Sequence, residues 1–395
     1  MRLSASREAA ANIPQQMDWL DAFKEVSDPR REQGTYHALR SLIGISILAV
    51  LCGANDWEEI HDYGLEKEDW LSQFLELPCG IPASDTFERV FSAMDAIEFE
   101  QGFRNWISQL LDDVSLNVVA IDGKSHRGSY DRNNGLAALH TVSAWSSEHR
   151  LVLGEVAVET KSNEITAIPQ LLEMLNLSGA VVTIDAMGAQ KTIVEQIREQ
   201  KADYCVALKA NHSNLYSALR DWLSEAQSDD WRGVEAESIE QTETGHHRSE
   251  TRKLWAVRVS AFESDSDVRE QLEAWRDVTT VLVVERQRQT WRSGTHQFQF
   301  YLSSVEADAE RLAAIVRSHW SIENQLHWCL DVVFKEDASR IRKGSSARNF
   351  GMLRRLALGL LKRETTHKVS LRNENLIKPQ ENLAPILARL GTDGA

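Results

Sequence analysis

Two short apolar runs, each ended by an aspartate, organise the hydrophobic pattern of the chain. Val118-Val119-Ala120-Ile121 leads into Asp122-Gly123-Lys124, and Ala180-Val181-Val182-Thr183-Ile184 leads into Asp185-Ala186-Met187-Gly188. Unbroken runs rich in Val and Ile favour strands buried on both faces. Each strand is expected to stop at its aspartate, with Gly123 turning the backbone away. Further strand-like runs fall at 139–145, 151–158 and 204–208, and a short polar break at 146–150 suits a hairpin. Helical spacing falls at 168–175, 190–200 and 213–225, which gives the order β-β-β-α-β-α-β-α from residue 117.

The flanking regions read differently. Residues 17–26, 36–52 and 97–113 carry helical apolar spacing, Asn55 is placed to cap a short helix, and Asp85-x-x-Glu88 reads as a capping box. This predicts an all-helical N-terminal domain over 1–113. The first part of an α/β core follows over 114–225. Residues 226–304 suggest a β-rich insertion of two hairpins, turning near Gly245 and at Ser293-Gly294. Residues 305–395 return to the core as helix, basic run and polar tail. Within them Ile315, Ile322, Leu326, Cys329 and Val333 recur at helical spacing as a buried stripe, with Glu323 at its border beside Trp320.

Charge and cysteine usage narrow the function classes. A net charge of −15 counts against indiscriminate nucleic-acid binding. Locally the balance reverses: residues 335–363 hold nine bases against two acids, and 56–76 hold eight acids against one base. The first stretch can meet phosphate; the second repels it, which disfavours a helix-turn-helix at 54–77. The 4 cysteines are scattered, which argues for a reducing cytoplasm and against structural zinc. Residues 1–20 lack a basic start followed by an apolar core, so no secretory leader is expected. The longest apolar run, 42–53, is shorter than the roughly twenty residues of a membrane span.

Two carboxylates at the ends of buried strands suggest a metal-binding pair. His319, Glu323 and His327 cannot jointly hold one zinc ion, because the outer two stand about 12 Å apart on a helix and zinc bonds are near 2.1 Å. No G-x-S-x-G elbow or P-loop occurs.

The strand order with its two aspartates resembles the RNase H-like arrangement, in which the first and fourth strands are neighbours. The chain as a whole resembles the DDE transposases of bacterial insertion sequences, in the branch that includes the H-repeat-associated proteins. The likeness covers about residues 18–365. It rests on Asp28-Pro29-Arg30, Ala120-Ile121-Asp122-Gly123-Lys124 with Arg127-Gly128, and Lys161-Ser162-Asn163-Glu164-Ile165. It continues through Thr183-Ile184-Asp185-Ala186-Met187-Gly188, Ala207-Leu208-Lys209-Ala210-Asn211, and His246-x-Arg248-x-Glu250-x-Arg252. The stretch from Arg317 to Asp331, running on through Phe334-Lys335-Glu336-Asp337, completes it. The resemblance implies Asp122, Asp185 and Glu323 as catalytic, metal-binding acids for two Mg2+ ions, with Mn2+ as a substitute. A related branch surrounds its Glu with Tyr, Arg and Lys where this chain has Val316, His319 and Leu330. Those basic roles therefore do not transfer, and Arg317 or His319 are the candidates to fill them. Phosphate contacts are expected from Lys124, Arg127, Lys209, Asn211, Arg248, Arg252, Arg317, His319, Lys335, Arg340, Arg342, Arg354 and Arg355. Lys161-Ser162-Asn163-Glu164 reads as a cap and positioning loop. The implied partners are double-stranded DNA, as the element's terminal inverted repeats and its target, and a second copy of the chain as a DNA-bound homodimer. The implied setting is the bacterial cytoplasm, at the nucleoid when DNA-bound, with no membrane partner. A nuclease without strand transfer and an inactive DNA-binding relic are the alternatives.

Overall fold

The computed structural model describes residues 14–31, 35–111, 115–130, 135, 137–158, 164–245, 248–263, 265–290 and 293–363. The 364–395 tail, the 246–247 turn and the 161–163 part of the expected positioning loop lie outside the described residues. At the centre is one nine-stranded sheet in the order β3-β2-β1-β4-β5-β9-β8-β7-β6. The strands are β1 Val118–His126, β2 Leu139–Ser146, β3 Leu151–Val158, β4 Val181–Ile184, β5 Asp203–Leu208, β6 Ala236–Gly245, β7 Arg248–Arg258, β8 Thr280–Thr290 and β9 Gly294–Ser303.

Strands β1 to β3 form an antiparallel meander, and β4 and β5 run parallel to β1. Every residue of β4 is buried, as a strand covered on both faces by helices requires. This mixed α/β sheet, ordered 3-2-1-4-5 through its first five strands, is the RNase H-like fold. The hairpins read as an insertion add their strands to the same sheet. β9 pairs antiparallel with β5 from Cys205↔Ser303 to Leu208↔Phe300, so the edge of β5 is covered. β6 forms the outer edge and carries Glu237, Glu240 and Glu243, charges that oppose edge-to-edge pairing.

Local boundaries differ from the sequence reading where polar residues mislead. β1 does not stop at Asp122 but continues to His126. The helix expected from Ile168 begins at Glu164 and carries Pro169 inside it. Asp56, not Asn55, caps the Trp57–Glu66 helix by accepting the Glu59 N–H at 2.9 Å. Asp85 lies in the first turn of the Ser84–Ala93 helix and does not cap it.

The Leu39–Leu51 helix is apolar all round and buried along nearly its whole length. It packs, with the Ser84–Ala93 and Ala96–Leu110 helices, against the long helix Ser346–Arg363, which also touches β3. This arrangement overturns part of the expected basic DNA surface. Arg354 and Arg355 are 3% and 1% exposed. The Arg354 guanidinium lies 4.4 Å over the Phe350 ring, and Arg355 contacts Glu155 at 2.5 Å and Glu336 at 3.0 Å. Neither can meet phosphate from inside the core.

The ion network around Arg355 predicts a large stability effect. Burial alone would keep Glu336 protonated, yet the charges of Arg355, His126, Lys124 and Arg354 hold its carboxyl well below the ordinary range. Arg355→Leu leaves Glu155 and Glu336 buried without this cation and is expected to cost about 3–5 kcal/mol. Because the Glu336 pKa is depressed, the interaction stabilises the fold above pH 4.5 and is lost in acid, so the deficit should shrink as pH falls. Urea denaturation at two pH values checks this; a deficit under about 1 kcal/mol at neutral pH would contradict it.

Candidate active site

The β1–β4 register brings the two aspartates together. Pairing runs from Val118↔Val181 to Ile121↔Ile184, so the next step sets Asp122 level with Asp185 on the adjacent strand. Alternation along β1 puts Asp122, Lys124 and His126 on one face. Asp122 Oδ1 accepts the N–H of Gly123 at 2.9 Å. Asp185 Oδ1 accepts those of Met187 at 3.0 Å and Gly188 at 3.2 Å, closing a tight turn after β4.

The third acid arrives on a long helical segment laid across this face. Ala309–His319 runs into a π-helical turn, Ile322–His327, and then Trp328–Val332. The expected stripe of Ile315, Ile322, Leu326, Cys329 and Val333 is buried throughout. Two hydrogen bonds pin the segment to the sheet: His319 Nδ1 with Thr183 Oγ1 and Trp145 Nε1 to Ser321 Oγ, both at 3.1 Å. Glu323 is exposed, not shielded at the core margin, and lines a groove of about 1390 Å3 with Lys209, Arg252, Arg286, Arg317 and Trp320. A π turn widens the helix locally, and such turns often mark functional positions.

The electrostatics at Asp122 are those of an under-compensated anion. Burial, followed by repulsion from Asp185, Glu164 and Glu323, pushes its carboxyl up to about 7, against the Gly123 hydrogen bond. His327 Nδ1 is 3.6 Å from Asp122 Oδ2, and among the described residues its buried Nε2 has no hydrogen-bond partner. Burial lowers His327 to about 3 and His319 to about 4, so both rings are neutral near pH 7. Neither supplies the missing positive charge.

Hard carboxylate oxygens, crowded negative charge and an orphaned imidazole nitrogen suit a divalent cation. Among the described residues, no three His, Cys, Asp or Glu side chains stand close enough to share one ion. Asp331, the nearest rival to Glu323 in sequence, is engaged elsewhere through its 2.6 Å contact with Lys124.

The expected phosphate contacts divide sharply. Lys124 is 6% exposed and is held by Asp331, Glu336 and Asp337, which removes it from any DNA-facing surface. His319 is spent on Thr183 and uncharged. Asn211 donates to the Ala186 carbonyl at 2.6 Å, tying the loop after β5 to the turn after Asp185. Arg340 and Arg342 donate to the Gly128 carbonyl. Arg317 pairs with Glu243, and Arg252 with Glu250 at 2.6 Å. Arg127 and Lys335 are exposed, Arg127 at 3.7 Å from Asp337. Lys209 is exposed in the groove. The side chain of Arg248 lies outside the described residues. Sequence reasoning did not assign His327, His140 or Glu164 to the site. The helical spacing of Glu323 and His327 offered one signal, and the Lys161–Glu164 stretch before a helix read as a cap and positioning loop.

Residues 114–360 match the family model described as "Transposase DDE domain", and residues 20–107 match that described as "DDE_Tnp_1-associated". The chain is 37% identical over 346 residues to "Putative transposase YncI" of Escherichia coli O157:H7, covering 87% of each chain. It is 34% identical over 372 residues to "H repeat-associated putative transposase YhhI" of Escherichia coli K12, covering 93% of this chain and 96% of that one. A solved piggyBac transposase synaptic complex with hairpin DNA aligns over 98% of this chain and 80% of its own, at 11% identity and a TM-score of 0.43. The chain belongs to the DDE transposase family.

The raised Asp122 pKa has a measurable consequence. In buffer free of divalent cations the folded state holds this proton more tightly than the unfolded state does. Stability should therefore fall as pH rises from 3.8 to about 7. Asp122→Asn removes that loss and should be more stable than the parent at neutral pH, by at most about 4 kcal/mol, and equal to it in acid. Thermal melts across this range check it; a variant less stable at pH 7 would contradict the crowding.

Proposed function

We propose that this protein is an insertion-sequence transposase that cuts DNA strands at its element's ends and joins them to target DNA, with Asp122, Asp185 and Glu323 as metal-binding acids. The observation that carries the reading is the β1–β4 register, which sets two carboxylates level on neighbouring parallel strands with Glu323 as a further source of negative potential. Asp122, Asp185 and Glu323 would hold divalent metal, which would supply activation of the attacking oxygen and stabilisation of the leaving one.

This chain's own residues supply the rest. Backbone N–H donors hold one oxygen of Asp122 and one of Asp185, which leaves the second oxygen of each as a candidate metal ligand. Glu323 lines the groove, so a phosphodiester seated there would lie against this acid. Lys209 and Arg317 offer cationic contacts along the path, while Arg252 and Arg286, paired with Glu250, shape its wall. Arg127 and Lys335 extend the cationic surface past the end of β1. Double-stranded DNA, as terminal repeats and target, is the partner, and two copies of the chain are expected on the paired ends.

The third acid is tested by comparing Glu323→Gln with Asp331→Asn at equal bound DNA, using Mg2+ and the sequences flanking the protein's own gene. Glu323→Gln should lower cleavage by a factor on the order of 10³ or more while still binding the ends. Asp331→Asn, which disturbs only the Lys124 pair, should retain cleavage. An active Glu323→Gln with a dead Asp331→Asn would transfer the role to Asp331. Products that are cut but never joined would reduce the activity to that of a nuclease.

A further inference from the structure

Glu164 is a buried acid that the three-carboxylate reading leaves unused. It opens the Glu164–Glu173 helix and is 9% exposed. An acid at a helix start gains from the helix dipole, but that gain does not require burial. Its position is specific. A Cβ built on Gly123 would lie 2.1 Å from Glu164 Oε1 and 2.3 Å from its carboxyl carbon, so the carboxylate occupies the space that a side chain at 123 would fill. Gly123 follows Asp122 directly, so its missing side chain admits a second carboxylate against the backbone that carries the first. This is also why glycine is needed there; β1 makes no turn at that point.

Among the described residues, the hydrogen-bond partner of the carboxylate is His140. His140 Nε2 lies 2.9 Å from Glu164 Oε1, and Ser125 Oγ lies 2.8 Å from His140 Nδ1. An ionised carboxylate only accepts, so Nε2 carries the proton and Nδ1 accepts the Ser125 hydroxyl. His140 and Ser125 face each other across the β1–β2 pair, on the same side of β1 as Gly123. The chain Ser125–His140–Glu164 thereby fixes the direction of the acid through one of its two oxygens.

We infer that Glu164 is a fourth carboxylate of the metal centre, admitted by Gly123 and oriented by His140. The inference rests on the reading of Asp122 and Asp185 as metal ligands, and extends it to an acid outside that triad. Glu164 would reach the centre from the face of β1 that carries Gly123, opposite the face that carries Asp122. Removing Glu164 therefore weakens ion binding itself, while DNA binding is left intact.

Mn2+ binding to the full chain without DNA, followed by paramagnetic resonance of the free ion, gives a readout independent of activity. Glu164→Gln should weaken Mn2+ affinity by about tenfold or more, and cleavage should fall with it. Gly123→Ala, which keeps the acid but fills its space, should do the same and decides the matter if Glu164→Gln fails to fold. Asp122→Asn serves as the reference for loss of the centre. Wild-type Mn2+ affinity in folded Glu164→Gln or in Gly123→Ala, with affinity lost in Asp122→Asn, overturns the fourth acid and leaves the triad standing. Wild-type affinity in all three overturns the metal centre as well.

Discussion

Arg355 is the cation on which the position of β1 depends. Its side chain has no solvent contact and joins Glu155 on β3 to Glu336 beyond the π-helical segment. Glu336 lies 3.6 Å from His126 and 3.4 Å from Lys124, both on the same face of β1 as Asp122. Lys124 reaches on to Asp331 and Asp337. The four residues of β1 beyond Asp122 are thus fixed by charges from three separate parts of the chain. Buried ion pairs are poor sources of net stability, because desolvation offsets most of their attraction. They are strict about geometry, however, since misplacing one member leaves the others unpaired. A network of this kind suits a strand that must present one carboxylate in one place.

The contrast along β1 is chemical. Two positions separate Lys124, whose charge is met by three acids, from Asp122, whose charge is met by none. Asp122 faces Asp185, Glu164 and Glu323 with only a backbone N–H for support. The fold satisfies its buried charges closely at one end of the strand and leaves negative charge in excess at the other. A divalent cation would compensate that excess, which is why the proposed chemistry is assigned to this end of the strand.

The sheet was legible in the sequence because Val and Ile runs identify buried parallel strands, and the β-β-β-α-β-α-β-α order followed from their spacing. Asp122 and Asp185 stood out because each breaks such a run. The extension of β1 was hidden, since Lys124 was expected to meet phosphate and nothing in the sequence shows the distant partners of Lys124 and His126. Arg354 and Arg355 misled for the same reason: a count of bases along a helix does not show which of them face acids from elsewhere in the chain. The π turn at Glu323 escapes a periodicity that assumes 100° per residue. Glu164 was masked by its place at a helix start, where an acid is ordinary.

The central claim is that the space shared by Asp122, Asp185 and Glu323 holds divalent metal, and local radical cleavage tests it most directly. With Fe2+, ascorbate and peroxide in place of Mg2+, hydroxyl radicals cut the protein backbone beside the bound ion. The account predicts cuts beside Asp122, Asp185 and Glu323 that are suppressed by excess Mg2+. Cuts confined to other acidic stretches, such as 56–76, or cuts indifferent to Mg2+, would contradict it.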